Sequence, residues 1–446
     1  MTTRIGADSF TPDETQRIAE NIYIYGYPVL LMDMRRRVFT AAPYPSFRSA
    51  PVNQFAHTRF LPAPYDKSIL PEPGCLRSCA WLDLGREPVI VTVPRTSRYH
   101  LFSFYSTWYE IFESISPRST EMQGVHLGLV GPRWSGRLPS GVKRLHSPTE
   151  TVWLDGAIAI DGVEDLDRAH SVQDQFLLTP VSEWGKPPMR HSFPFRPDIN
   201  QKATPQEQID ELDARAFYTR LSQLIAKNPP QPSDIDVVAE FAHVGFFPGE
   251  EFVYDMLPPQ TLQAMQLAVP AAQSKIVAEA SNHRGSTVNN WLIRTHPGSF
   301  RTEYLNRAVE ARADMAVALQ EDAIWCHTAV DQAGKPLRGA NRYEIHFPGT
   351  MTPPVNAFWS ITLYDSRHRL VSNNIHRYAI GNRDRLRLNP DSSLSIYIQR
   401  DWPGADRDCN WLPAPAEEFN LAIRMYWPKP EVFAADWQPP AVTPRN

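Results

Sequence analysis

The spacing of apolar and polar positions changes character three times along the chain. Thr11-Pro12-Asp13-Glu14 has the form of a helix start, with a capping threonine, a proline at the first helical position and a glutamate three residues on. Ile18, Ile22 and Tyr25 follow at three- and four-residue spacing and define one apolar face. Pro28 is predicted to kink or end this helix near Tyr27. Residues 43–73 read as proline-punctuated loop. From residue 79 the period falls to two, in short runs at 80–84, 89–93, 99–105, 126–130 and 151–160. Turn pairs such as Gly131-Pro132 separate them. Many short strands at this spacing predict an antiparallel sandwich, barrel or jelly roll.

The middle of the chain is different. Residues 206–226, 259–282 and 299–319 carry helical periodicity and strong helix formers, Leu262, Met265 and Val269 among them. Strand patterns return at 343–347, 357–364, 377–380 and 394–399, and a last strand at 420–427 precedes a proline-rich tail. The expected organisation is an N-terminal helix (1–42), a first β domain (43–200), a helical segment (201–335) and a second β domain (336–446). Two β units of similar size permit an ancient duplication.

Composition narrows the class. Proline numbers 42 in 446 residues and glycine only 21, which excludes a helical bundle throughout. A formal charge of −4, from 45 basic and 49 acidic residues, lacks the basic excess of a nucleic-acid partner. No apolar stretch reaches the roughly 18 residues of a membrane span, and residues 1–11 do not read as a secretory signal. Cys75 and Cys79 form one close pair where a zinc ribbon needs two, so free thiols, a cytoplasmic location and no metal are expected. No dinucleotide, phosphate-loop or nucleophile-elbow motif occurs, and no cofactor is expected.

Candidate chemistry lies in polar residues embedded in aromatic strands. Tyr105-Ser-Thr-Trp108-Tyr-Glu110 sets a carboxyl among large rings, an environment that raises its pKa and suits general acid work. In Phe358-Trp359-Ser360-Ile-Thr-Leu-Tyr364, alternation puts Trp359, Ile361 and Leu363 on one face and Phe358, Ser360, Thr362 and Tyr364 on the other. The second face offers hydroxyls among aromatics, with Asn373 and Arg377 following. His57 and Arg59, two residues apart on an extended segment, point the same way and are placed to share an anion.

These segments resemble a bacterial family that pairs the domains of unknown function twelve-fifty-four and twelve-fourteen. The resemblance is carried by Asn53-Gln-Phe-Ala-His57-Thr-Arg59, Ala80-Trp-Leu-Asp-Leu84, Gly131-Pro-Arg-Trp134-Ser-Gly136 and Gln173-Asp-Gln-Phe176-Leu-Leu-Thr-Pro180. It continues through Asn341-Arg-Tyr343, Pro353-Pro-Val-Asn-Ala-Phe-Trp359-Ser, Tyr364-Asp365, Arg377-Tyr378, Asn410-Trp411-Leu-Pro-Ala-Pro415 and Trp437-Gln-Pro-Pro440. It implies two jelly-roll-like β-sandwich domains separated by helices, as in large-virus capsid proteins, and a homo-oligomer, a dimer or trimer. The departures are informative. Where the family has Asn-x-Asp-Thr-x-Tyr-Ser, this chain reads Glu72-Pro-Gly74-Cys75-Leu-Arg77-Ser78. Ser106 and Tyr109 replace an Asp and a Thr of the next strand. Two carboxylates are lost while Glu72 and Glu110 stand nearby, the signature of a remodelled site.

The expected function is acid–base chemistry on a small, largely apolar organic molecule, as a lyase, cyclase, isomerase or hydrolase, with natural-product biosynthesis as one setting. Glu110 or Glu72 transfers the proton, with His57 and Tyr105 in the catalytic set. Arg59, Arg77, Trp108, Trp359, Ser360, Tyr364, Asn373 and Arg377 bind substrate. The alternative is a non-catalytic oligomer that binds a small molecule or serves as a structural protein.

Overall fold

A computed structural model describes residues 11–66, 70–187, 196–281, 285–294, 298–313, 317–349 and 351–445. The N-terminal helix, Pro12–Phe39, starts with the expected box: Glu14 N–H donates to the Thr11 hydroxyl at 3.3 Å, and Thr11 N–H donates to the Glu14 carboxylate at 2.9 Å. It then runs through Pro28 instead of ending at Tyr27. The reason is tertiary. Every residue from Ile22 to Met32 is buried, so packing on all sides outweighs the roughly 3 kcal/mol that an interior proline costs. Its neighbours are the helices Ala214–Lys227, Pro259–Ser281 and Tyr304–Arg312. The helix predicted over 206–226 is divided into Pro205–Asp210 and Ala214–Lys227, the latter capped by Asp213, which accepts from Ala216 N–H at 2.8 Å. Among the described residues no helix is long and apolar enough to cross a membrane.

Gly26 lets the helix at Ala214–Lys227 approach: a Cβ there would come within 2.3 Å of the buried Leu221 side chain. Gly26→Ala is therefore expected to destabilise by about 1–3 kcal/mol, against the roughly 1 kcal/mol that alanine gains in a helix. Urea unfolding measures the balance, and a more stable variant would contradict it.

The first sandwich uses β1 (Ala56–His57), β2 (Cys75–Asp83), β3 (Val89–Val93), β4 (His100–Ser106), β5 (Ile111–Ile115), β6 (Val125–Val130), β7 (Lys143–His146), β8 (Thr151–Ala159) and β9 (Leu177–Pro180). The second uses β10 (Ser286–Val288), β11 (Trp291–Ile293), β12 (Ala323–Thr328), β13 (Arg342–Phe347), β14 (Val355–Asp365), β15 (Ala379–Gly381), β16 (Leu394–Gln399), β17 (Trp411–Pro413), β18 (Phe419–Pro428) and β19 (Val442–Arg445). One sheet of the first is ordered β1-β2-β8-β4-β5 and the other β7-β6-β3-β9. In the second the orders are β10-β11-β12-β18-β14-β15 and β17-β16-β13-β19. Apart from the extra edge strand β10, the second topology repeats the first strand for strand. Pairing is antiparallel except at β6–β7 and β16–β17, which are parallel and occupy the same edge of their sandwiches. An exception shared at corresponding places fits the duplication that the two units allow.

Four strands lie where the pattern reads otherwise. β10, β11 and β12 fall within the segment read as helical, and β19 lies in the proline-rich tail, pairing with β13. The sandwich cores hold Leu82, Val91, Phe104 and Leu154 in the first and Ile345, Trp359, Ile398 and Ile423 in the second. The two larger sheets meet back to back through Cys75, Tyr99, Phe358 and Tyr426. Phe358 stacks on Tyr426 at 4.4 Å between centroids, and Tyr99 meets Phe358 edge-on at 5.7 Å.

Candidate functional site

Three groups of charged residues line the surfaces where the sandwiches and the helices meet. The first is a knot at the inter-sheet seam. Arg424 rises from the middle of β18, 2% exposed, between Trp325 and Ser360 on its neighbouring strands. Its guanidinium contacts the Glu72 carboxylate (Nε to Oε2, 3.2 Å), the Leu70 carbonyl (2.8 Å) and the Tyr364 hydroxyl. Glu72 is satisfied on its other side by Gly74 N–H at 2.8 Å and the Tyr426 hydroxyl at 3.1 Å. Tyr364 in turn donates to the Pro71 carbonyl at 2.9 Å. With every partner engaged, the knot clamps segment 70–74 of the first domain onto the second. At Gly74, where the resemblance sets an Asp, a Cβ would lie 2.4 Å from the Arg383 guanidinium, which bonds the Gly74 carbonyl and stands over the Phe358 ring. An arginine of the second domain fills the space beside the Gly74 Cα.

The second group stands on the outer face of the first sandwich's larger sheet. Arg77 pairs with Asp155, which also accepts from the Cys79 thiol at 3.1 Å. Burial beside that carboxylate pushes the Cys79 thiol up to about 12, so it is no thiolate nucleophile. The Arg77 side chain keeps 40% exposure while Asp155 keeps 7%, so a buried carboxylate anchors an arginine that stays partly in contact with solvent. Tyr105 donates to the Val317 carbonyl, fixing the chain that leads from helix to β12.

The third group surrounds Glu110. It follows Tyr109, held at φ 63°, a left-handed conformation that costs a bulky residue about 1–2 kcal/mol. The turn aims Glu110 at the helical layer. One carboxylate oxygen accepts Phe300 N–H at 2.9 Å, and the other lies 3.5 Å from Arg307. Burial pushes the Glu110 carboxyl above its usual range, against the opposing pull of the Phe300 amide and the Arg307 charge. Arg307 is 1% exposed and boxed by the rings of Tyr25, Trp108 and Tyr304 at 5.3–5.5 Å. Arg307 Nε and Nη2, Trp108 Nε1 and Glu110 Oε1 are enclosed yet have no hydrogen-bond partner among the described residues. Buried polar atoms are normally paired, so four together set this place apart from the rest of the core.

The remaining predicted residues lie elsewhere. His57 Nδ1 meets the buried Ser78 hydroxyl at 2.9 Å, and Arg59 pairs with Asp174. The neutral His57 ring turns to a buried hydroxyl and Arg59 to an exposed carboxylate, so the two do not share an anion. Trp359 packs on Phe347 inside the second sandwich. Ser360 faces the seam with its hydroxyl enclosed and without a hydrogen-bond partner among the described residues. Asn373 bonds the Arg377 backbone, while the Arg377 guanidinium holds the carbonyls of Asp408 and Trp411, a loop clamp. Spacing left Arg424, Asp155 and Arg307 unmarked. For the first two a signal existed, a lone charge inside an apolar strand; Arg307, on the helix Tyr304–Arg312, gave none.

Burial lowers the His57 pKa to about 4, with the Arg59 charge acting the same way. The folded state therefore holds fewer protons than the unfolded one, and the stability tied to this neutral imidazole, whole above pH 6.5, is lost as pH falls from 6.5 towards 4. His57→Asn should flatten the decline between pH 7 and pH 5 in urea unfolding (about ordinary histidine titration). An identical decline in both proteins would remove His57 from this role.

Fold and charge placement define a double β-sandwich of repeated topology with a helical layer and enclosed ionic groups at its seams. Residues 52–180 match DUF1254 and residues 322–430 match DUF1214, each a protein family of unknown function. The chain belongs to the family that pairs these two domains in this order. The VPA0106 protein from Vibrio parahaemolyticus has a similar structure, with a TM-score of 0.72, 22% identity and coverage of 97% of this chain and 100% of that one. An uncharacterised protein from Burkholderia cenocepacia aligns with a TM-score of 0.43 and 14% identity over 97% of this chain and 94% of its own. No curated protein matches the chain in sequence.

Proposed function

We propose that the chain is a cofactor-independent acid–base enzyme for a small, largely apolar organic molecule bearing one oxygen acceptor, with Glu110 transferring the proton. The observation that carries this reading is the Glu110 carboxyl itself. It is raised by burial, touches Arg307, and lies beside Arg307 and Trp108 N–H groups that have no hydrogen-bond partner among the described residues. A carboxyl shifted towards neutrality gives and takes protons efficiently near physiological pH. In the step we envisage, the Glu110 carboxylate takes a proton from a carbon next to a carbonyl. The C–H bond breaks, an O–H bond forms on Glu110, and the electron pair moves to the carbonyl oxygen. Arg307 and Trp108 N–H groups stabilise the charge that develops there, and Glu110 returns the proton to complete the cycle. The aromatic walls of Tyr25, Trp108 and Tyr304 favour an apolar body for the substrate. Four free thiols support a reducing, cytoplasmic setting.

Deuterium exchange tests the reading without knowledge of the natural substrate. The protein is incubated in heavy water with acetophenone or phenylacetone, and mass spectrometry follows label at the carbon beside the carbonyl. Exchange that depends on protein and saturates with ketone is expected. Exchange no faster than buffer with both ketones counts against it.

A further inference from the structure

We infer that the pocket at the C-terminal end of the N-terminal helix is a second ligand site, one that takes the dianionic phosphate group of free phosphate or of a small phosphate monoester. It is a cavity of about 290 Å³, just under the roughly 300–1,000 Å³ of small-molecule sites. Four guanidinium groups converge there from three parts of the chain: Arg36 and Arg37 from the last turn of the helix, Arg196 from the loop before Pro205–Asp210, and Arg220 from Ala214–Lys227.

Arginines at a helix C-terminus have an ordinary explanation, since they complement the negative end of the helix dipole. That explanation covers Arg36 and Arg37 alone. Arg196 and Arg220 arrive from other segments, and like charges brought together repel unless an anion separates them. Two carboxylates do part of that. Asp33 pairs with Arg36 at 2.9 Å and Arg220 at 2.6 Å, and Asp198 pairs with Arg196 at 2.7 Å. Against four guanidiniums they leave an excess of two positive charges, the charge of a phosphate dianion. Asp33 is buried with its side chain 8% exposed, so it acts as a fixed brace that orients Arg36 and Arg220. Arg220 Nε is enclosed with no hydrogen-bond partner among the described residues, although the side chain as a whole is 39% exposed. Planar guanidinium forks held from several directions match tetrahedral oxyanions, which accept paired N–H bonds. This inference does not rest on the acid–base reading: the pocket is lined by none of the residues around Glu110.

The test is thermal unfolding of the whole chain with inorganic phosphate, with glycerol 3-phosphate, and with sodium chloride at matched ionic strength. A ligand that binds only the folded state raises the midpoint with concentration and saturates as its site fills. A saturating rise beyond the chloride control is expected for at least one of the two phosphates. The stronger of the two identifies free phosphate or a monoester as the source, and either result supports the site. The paired variant Arg37→Gln/Arg196→Gln, at half-buried and exposed positions outside the Asp33 brace, should unfold like the parent without phosphate and weaken binding at least tenfold. A midpoint rise no larger than with chloride, or a rise unchanged in the paired variant, overturns the inference.

Discussion

Glu110→Gln is expected to lower ketone deuterium exchange by about 100-fold or more, the usual contribution of a positioned proton-transfer group. Glutamine keeps the shape and its one carbonyl oxygen can still accept from Phe300 N–H, while its amide NH2 takes the place of the oxygen that lay 3.5 Å from Arg307, so the turn is kept and only the ion pair is lost. What it cannot do is hold a proton on oxygen. The pH profile separates this chemistry from a loss of packing. The parent should gain exchange as pH rises through the Glu110 pKa, because the carboxylate is the base, and the inflection should lie above the ordinary glutamate value of 4.5 because burial disfavours the charged form. In the glutamine variant the inflection should vanish. Glu110→Asp, which restores a carboxyl set back by one methylene, should recover part of the rate and the inflection with it. Full exchange in Glu110→Gln would reject the assignment.

The sequence made some of this legible and hid the rest for identifiable reasons. Alternation in β14 sorted Trp359, Ile361 and Leu363 into the sandwich core and Phe358, Ser360, Thr362 and Tyr364 onto the opposite face, because a strand's period is fixed by its backbone. The same rule cannot say what covers the second face. Segment 70–74 and Arg383 do so, and both belong to contacts made far along the chain. Pro28 misled because a local cost is outweighed by burial that only the folded molecule supplies. β12 reads ambiguously because six residues of Ala-Ile-Trp-Cys-His-Thr follow a long helical stretch, and its partner β18 lies about a hundred positions on (pairing Ala323 with Tyr426). Glu110 stood out from its aromatic neighbours alone, whereas Arg307 reaches it across nearly two hundred residues of sequence, between a strand's end and a helix.

Arg424→Met is expected to destabilise the chain by about 3–5 kcal/mol, the range for removing one partner of a buried ion pair. Methionine fills much of the volume, so the loss is electrostatic. Glu72, with 9% of its side chain exposed, would keep a carboxylate facing the seam with only the Gly74 amide and the Tyr426 hydroxyl to hold it. The Leu70 carbonyl and the Tyr364 hydroxyl would each lose a donor or partner as well. The double variant Glu72→Gln/Arg424→Met removes both charges and should recover part of the loss, since an uncompensated buried charge costs more than an absent pair. Urea unfolding of the parent, both single variants and the double variant gives the coupling directly. Additive effects would mean that Glu72 and Arg424 act independently. A positive coupling would tie Glu72 to fold rather than to chemistry: glutamate stands there to pair with an arginine of the second domain, as Arg383 of the same domain packs against Gly74. Of the two carboxylates near the altered strands, Glu72 would then be the clamp between domains, leaving Glu110, with its unmet donors, as the one free to handle a proton.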